Sequence, residues 1–140
     1  MNNGSRLIAL PGTEPTIRGY SGVDLLIIDE AARVDDALYY ACKPMLAIKP
    51  QARLVCLSTP WGRRGWWYSE WEQGTDWQRL LVPATQCPRI ASHFLIEEQR
   101  TLPPLWFRSE YCCDFVDVAD QVFGYALVHA ALSDEITPLF

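Results

Sequence analysis

Leu25-Leu26-Ile27-Ile28-Asp29-Glu30 is the stretch on which the reading of this chain turns. Four consecutive apolar residues without polar alternation suit a strand buried on both faces of a parallel sheet. The two carboxylates that follow then stand at the strand's C-terminal end, where open α/β sheets gather their ligands. Adjacent acids at that place can divide the work of nucleotide hydrolysis. Asp29 would hold Mg²⁺, mainly through water, because Mg²⁺ takes few protein oxygens and keeps its hydration shell. Glu30 would orient and deprotonate the attacking water. The pattern is short, and a strand that merely ends in two solvated acids satisfies it as well.

Outward from this stretch the chain alternates strand and helix. Arg53-Leu54-Val55-Cys56-Leu57 reads as a second buried strand. Between the two, Asp35 or Asp36 caps a helix running to about Ile48, which Pro44 should kink or break. Upstream, Arg6 to Leu10 reads as a short strand closed by the Pro11-Gly12 turn. Thr16 to Tyr20 reads as another short extended piece, with Gly19 and Gly22 bracketing a tight connection. Downstream come a helix from Arg64 to Gln73 and a strand from Gln78 to Val82. Ser92 caps a helix to about Leu102, Pro104 starts another reaching Phe115, and Tyr125 to Leu132 forms a short one. This rhythm predicts an α/β fold, a parallel sheet flanked by helices. No internal repeat or low-complexity segment interrupts it.

The bulk properties agree. The chain has 140 residues, 49% of them hydrophobic, which is enough for one globular domain and argues against disorder. No apolar run approaches the 18 or more residues of a membrane span, and Met1 to Arg6 lacks the apolar stretch of a signal peptide. A cytoplasmic protein is expected. The five cysteines, Cys42, Cys56, Cys87, Cys112 and Cys113, fit no zinc spacing and read as reduced thiols. The net charge of −5 is uneven: residues 1–64 hold eight basic and six acidic residues, residues 65–140 four basic and eleven acidic. A domain that grips nucleic acid by itself usually shows a basic face, so any such contact should come from the first half.

Further candidates follow the second strand. Ser58-Thr59-Pro60 places two small hydroxyls at its end, where they can sense a γ-phosphate; Thr-Pro is also a common strand exit. Arg63 and Arg64, between Gly62 and Gly65, suit phosphate contact on DNA or nucleotide, or are two solvated charges at a helix start. Trp66, Trp67, Tyr68 and Trp71 form an aromatic patch in which Trp67 and Trp71 share a helix face. Such residues can stack on bases but more often pack a core, and Trp106, Phe107 and Tyr111 read as core. His93 and His129 stand apart from any carboxylate pattern.

Taken together, several segments resemble the large subunit of double-stranded DNA phage terminases. They are Asn3-Gly4-Ser5-Arg6, Leu10-Pro11-Gly12, Ile17-Arg18-Gly19, Leu25 to Arg33, Ser58 to Gly65, and Trp106 to Tyr111. The combination is specific; each motif alone is not. The resemblance implies part of a P-loop ATPase sheet, with Asp29 and Glu30 as the Walker B pair and Ser58-Thr59-Pro60 as the coupling motif. It also implies that Arg18, eleven residues before Asp29, is an arginine reaching a neighbouring subunit's nucleotide, although Arg18 could equally anchor the Gly19–Gly22 turn. It implies ATP and Mg²⁺ as cofactors. The implied partners are double-stranded DNA, a portal, a small terminase subunit and further copies in a ring, inside the host cytoplasm and without a membrane.

The sequence contains no Gly-x-x-x-x-Gly-Lys-Ser/Thr loop to cradle phosphates, and Asp134-Glu135 alone cannot form a two-metal nuclease site. The expectation is therefore the second half of a terminase-type ATPase domain over residues 1–118. Residues 119–140 would begin a connection towards a nuclease, the whole being a fragment truncated on both sides. Alone it should hydrolyse nothing measurable and, with an open sheet edge, should aggregate or stay partly unfolded. A fragment of a helicase-type ATPase and a non-catalytic α/β interaction module are the alternatives.

Overall fold

The structure, a computed structural model, describes residues 3–12, 17–117 and 125–132. The chain divides into two compact units, Met1–Thr59 with Arg64–Gln78, and Pro60–Arg63 with Arg79–Phe140.

The first unit is built on two parallel strands, β1 (Leu25–Ile28) and β2 (Arg53–Cys56), joined through helix α1 (Asp36–Cys42). Parallel neighbours need such a crossover because a tight turn cannot bring the chain back to the same end of the sheet. Leu26 pairs with Leu54 and Ile28 with Cys56 on one face; Leu25 pairs with Arg53 and Ile27 with Val55 on the other. Only the first face is packed. Ile28 joins Ala31, Tyr39 and Trp66 in one buried cluster, edged by Leu26, Leu54 and Cys56. Ile17, Leu38, Cys42 and Met45 form a second cluster, also touched by Leu26. On the opposite face Leu25 and Ile27 are 51% and 53% exposed. The expectation of strands buried on both faces is therefore corrected: among the described residues no layer covers that side.

Helix α1 stops where the sequence says it must. Pro44 lacks an amide hydrogen and disfavours continued α-helix, and the chain tightens into a 3₁₀ turn over Lys43–Leu46. Helix α2 (Gly65–Gln73) completes this unit. Two upstream expectations fail. Arg6 to Leu10 forms no strand and leaves Leu7 exposed. Ile17 is helical and leads into a turn at Arg18-Gly19 rather than an extended piece; Thr16 lies outside the described residues. For the second the reason is local: Gly19 and Gly22 sit at φ 104° and 67°, left-handed backbone that turns the chain out of an extended path.

The second unit holds α3 (Ser92–Thr101) and α4 (Pro104–Cys112), with α5 (Tyr125–Ala131) further on. Pro104 opens α4 because the first helical turn needs no amide donor there. Cys113, left-handed at φ 60°, closes it. Ala91, not Ser92, takes the capping position of α3. Gln78 to Val82 makes no strand; Leu80, Leu81 and Val82 pair with no strand among the described residues and are exposed. Tyr111 packs edge-on to Phe94 and against Phe107, and its hydroxyl donates to Glu98 at 2.9 Å. Ser109 is buried and donates to the Pro60 carbonyl at 2.6 Å. Trp106, expected in a core, is 48% exposed and meets Trp61 edge-on. Asp134 and Glu135 lie outside the described residues. No described helix is long and apolar enough to cross a membrane.

Candidate active site

Strand β1 ends at Ile28 and delivers Asp29 and Glu30 onto an exposed turn. Glu30 is left-handed, φ 50° and ψ 40°, a conformation that costs a residue with a Cβ about 1–2 kcal/mol. The turn is held by a run of hydrogen bonds. Glu30 N donates to Asp29 Oδ1 at 3.0 Å, Ala31 N to the Leu57 carbonyl at 2.9 Å, and Ala32 N to Ser58 Oγ at 3.1 Å. Arg33 N then donates to the Glu30 carbonyl at 2.9 Å, which starts the 3₁₀ turn Ala31–Arg33. At about 1 kcal/mol net for each bond, these contacts are enough to offset the backbone cost.

The acceptors for Ala31 and Ala32 come from the exit of β2. Leu57 N donates in turn to the Ile28 carbonyl at 3.0 Å, so the ladder runs one step past β2 and Ser58 arrives beside the turn. The structure thus brings Asp29, Glu30 and Ser58 together. Thr59 is the half-buried next residue. Arg18 is exposed on a different turn, anchored by the buried Ile17.

The two arginines part company. Arg63 is half-buried; its Nε donates to the Phe115 carbonyl at 3.1 Å and its Nη1 lies 3.8 Å from Asp117 Oδ1. Arg64 is exposed in extended backbone at the start of α2. The aromatic patch beside them is chiefly packing. Trp66 is buried, stacks on Tyr39 at 3.8 Å, and donates its indole N–H to the Val34 carbonyl at 2.8 Å. Trp67 and Trp71 do share a face, with ring centroids 6.2 Å apart.

Two anchoring residues escaped the sequence reading. Of the two residues expected to cap α1, Asp35 takes the capping position, while Asp36 accepts the Trp66 amide at 2.9 Å and so caps α2. Glu70 accepts from Tyr39 Oη at 2.8 Å, Trp77 Nε1 at 2.8 Å and Lys43 Nζ at 3.4 Å. No spacing signal could reveal either, because most of these partners lie 27 to 31 residues apart. Burial alone would raise the Glu70 carboxyl, but the hydrogen bonds from Trp77 and Tyr39 and the Lys43 charge outweigh it and hold it low. Burial, then the Glu70 bond, pushes the Tyr39 phenol up. All five cysteines are free thiols. Among the described residues no group of three or more His, Cys, Asp or Glu could hold a metal by itself.

Comparisons with known proteins now bear on this geometry. No family model matches the chain. It is 33% identical to the large terminase subunit of Escherichia phage T5 over 71% of its own length. That match spans only 24% of the T5 protein, about a quarter of the relative. Its fold resembles the ATPase domain of the Thermus phage P74-26 large terminase, solved as a point variant, with a TM-score of 0.52. The likeness covers 70% of this chain and 46% of that one at 24% identity, and so speaks for the fold alone. Neither a helicase nor an interaction module is favoured by these likenesses. Sequence and fold converge: over 71% of its length the chain is similar to a segment of the T5 large terminase subunit, and its fold resembles part of the P74-26 large-terminase ATPase domain.

Proposed function

We propose that this chain supplies the metal-binding and water-activating half of an ATP site in a P-loop, terminase-type packaging motor. The observation that carries the reading is the clamp of the β2 exit on the turn bearing Asp29 and Glu30. It joins the two segments that such chemistry must couple. Asp29 fits Mg²⁺ of the kind that takes one protein carboxylate and completes its shell with water and nucleotide phosphates. One of its oxygens faces the Glu30 amide. When bound, the ion would neutralise charge developing on the phosphates. Glu30, exposed at the turn, would take the proton of the attacking water. Ser58 and Thr59 would respond to the γ-phosphate, and Arg18 would reach the nucleotide of a neighbouring subunit. Arg64 is the better placed of the two arginines for a DNA phosphate, since Arg63 already serves Phe115 and Asp117.

The 140 residues hold no phosphate-binding loop, so hydrolysis requires that loop from another segment. In that setting the activity is ATP hydrolysis driving double-stranded DNA into a capsid, in the host cytoplasm, within a ring of like subunits and with a portal and small subunit as partners. The test is a chimera in which this chain replaces the matched segment of the T5 large subunit. ATP turnover is expected, and Glu30→Gln should lower it by about 10²–10⁴-fold. Full activity in the Glu30→Gln chimera would refute the assignment.

A further inference from the structure

We propose that Ser58 is a positioning residue for Glu30, acting through the amide of Ala32. The proposal rests on the reading of Glu30 as the base and deepens it. The amides of Glu30, Ala31 and Ala32 each have one acceptor: the Asp29 carboxylate, the Leu57 carbonyl and Ser58 Oγ. The Leu57 carbonyl is backbone and would be present with any side chain there. Ser58, two residues past β2, contributes a side chain to the turn, so the sequence controls the clamp at this position. A serine hydroxyl accepts well and is short enough to reach a neighbouring backbone amide directly. Alanine would leave that amide, in a part-buried bond, without its partner.

The consequence falls on Glu30. Its left-handed backbone sets the direction in which the carboxylate leaves the turn. A residue with a Cβ keeps that conformation only where its surroundings over-determine it. Removing the Ser58 acceptor loosens the turn one residue beyond the start of the 3₁₀ segment Ala31–Arg33. Glu30 is then free to relax towards ordinary backbone. This differs from phosphate sensing, the role that the strand-end position of Ser58 suggests, because it operates with no nucleotide present.

The experiment is amide hydrogen exchange and NMR on the full 140-residue chain without nucleotide. Ser58→Ala should speed exchange at Ala32 roughly five- to tenfold. It should also weaken the strong HN–Hα cross-peak within Glu30 that a positive φ produces. The ladder amides of Arg53 and Leu57, which donate to the Asp24 and Ile28 carbonyls, should keep their protection. Ser58→Thr, which retains the hydroxyl, should restore both signals. Where Ser58→Ala does not fold, Ser58→Cys asks the same question with similar size and a weaker acceptor. Unchanged exchange at Ala32, or equal loosening of the ladder amides, would overturn the proposal. Because no nucleotide is used, a silent chimera would sink the ATPase reading and leave this result standing.

Discussion

The hydroxyl of Tyr39 donates to Glu70 Oε1 at 2.8 Å and ties α1 to α2 across 31 residues of sequence. The same Tyr39 ring lies flat on Trp66, with planes 6° apart. One residue therefore serves both the apolar cluster and the polar bridge. Lys43 adds its charge to Glu70 and sits 4.7 Å above the Tyr39 ring. Tyr39→Phe keeps the stack and removes the bond. It should cost about 1–2 kcal/mol in urea unfolding followed by tryptophan fluorescence. An unchanged midpoint would show that the bridge carries no weight.

The same bridge gives stability an acid limb. Glu70 has a lower pKa folded than unfolded, so the unfolded chain binds its proton first as pH falls. Its contribution is present above the ordinary carboxylate range and is lost as pH drops through the folded value. Glu70→Gln should flatten the decline of stability below about pH 4.5. The check is a series of unfolding curves from neutral to acid pH; parallel declines in both proteins would rule the idea out.

An alkaline limb should mirror it. Burial pushes the Cys56 thiol up to about 11, with the Glu70 charge adding to the effect. The Tyr39 phenol is raised as well. Both groups are held neutral by the fold, so their contribution is whole below their unfolded values and fades as pH rises through the folded ones. For Cys56 the window runs from about pH 9 to 11. The same shift lowers the thiolate fraction at neutral pH about a hundredfold, and thiol labelling of native Cys56 should be slower by that order than in urea. Labelling at the unfolded rate would contradict it.

How much of this was legible beforehand depends on the range of the interaction. The Leu25–Ile28 and Arg53–Cys56 strands, the break at Pro44 and the opening of α4 at Pro104 follow from one to four neighbouring residues, and they were readable. Arg6–Leu10 and Gln78–Val82 look like strands by composition, but a strand needs a partner, and composition does not name one. The site divides in the same way. Asp29, Glu30 and Ser58 declare themselves by position at strand ends. The Ser58–Ala32 contact, the Asp36 cap and the Glu70 bridge each join segments 26 or more residues apart. They become visible only once the fold has brought those segments together.

Asp36 offers a direct trial of one such long-range contact. Its Oδ1 accepts the Trp66 amide, the second of α2, and a Cβ on Gly65 would stand 3.2 Å from that same oxygen. Asp36→Ala should cost about 0.5–2 kcal/mol, the usual range for a lost cap; Asp36→Asn keeps an acceptor and should cost less. Gly65→Ala, forced at φ 73° and crowding the carboxylate, should destabilise by more than about 1 kcal/mol. Equal stability of Asp36→Ala and the parent chain would place the helix start under other control.

The uncovered side of the sheet supplies the last test. Leu25, Ile27, Val55 and Leu57 occupy one face by register and alternation, each 39% to 53% exposed. Contiguous exposed apolar surface on a short sheet invites association with like surface. The chain should bind a dye that brightens on apolar patches and should grow in apparent mass with concentration. Ile27→Lys places a charge at the centre of that face without touching the packed one. It should reduce both signals while changing unfolding free energy by no more than about 0.5 kcal/mol, as for an exposed position. The contrast with Ile28→Lys is sharp: Ile28 is 9% exposed and packs on Ala31, Tyr39 and Trp66, so a charge there should abolish cooperative folding. If Ile27→Lys unfolds the chain as Ile28→Lys does, the face is not free and the two-sided burial first read from Leu25–Ile28 is restored.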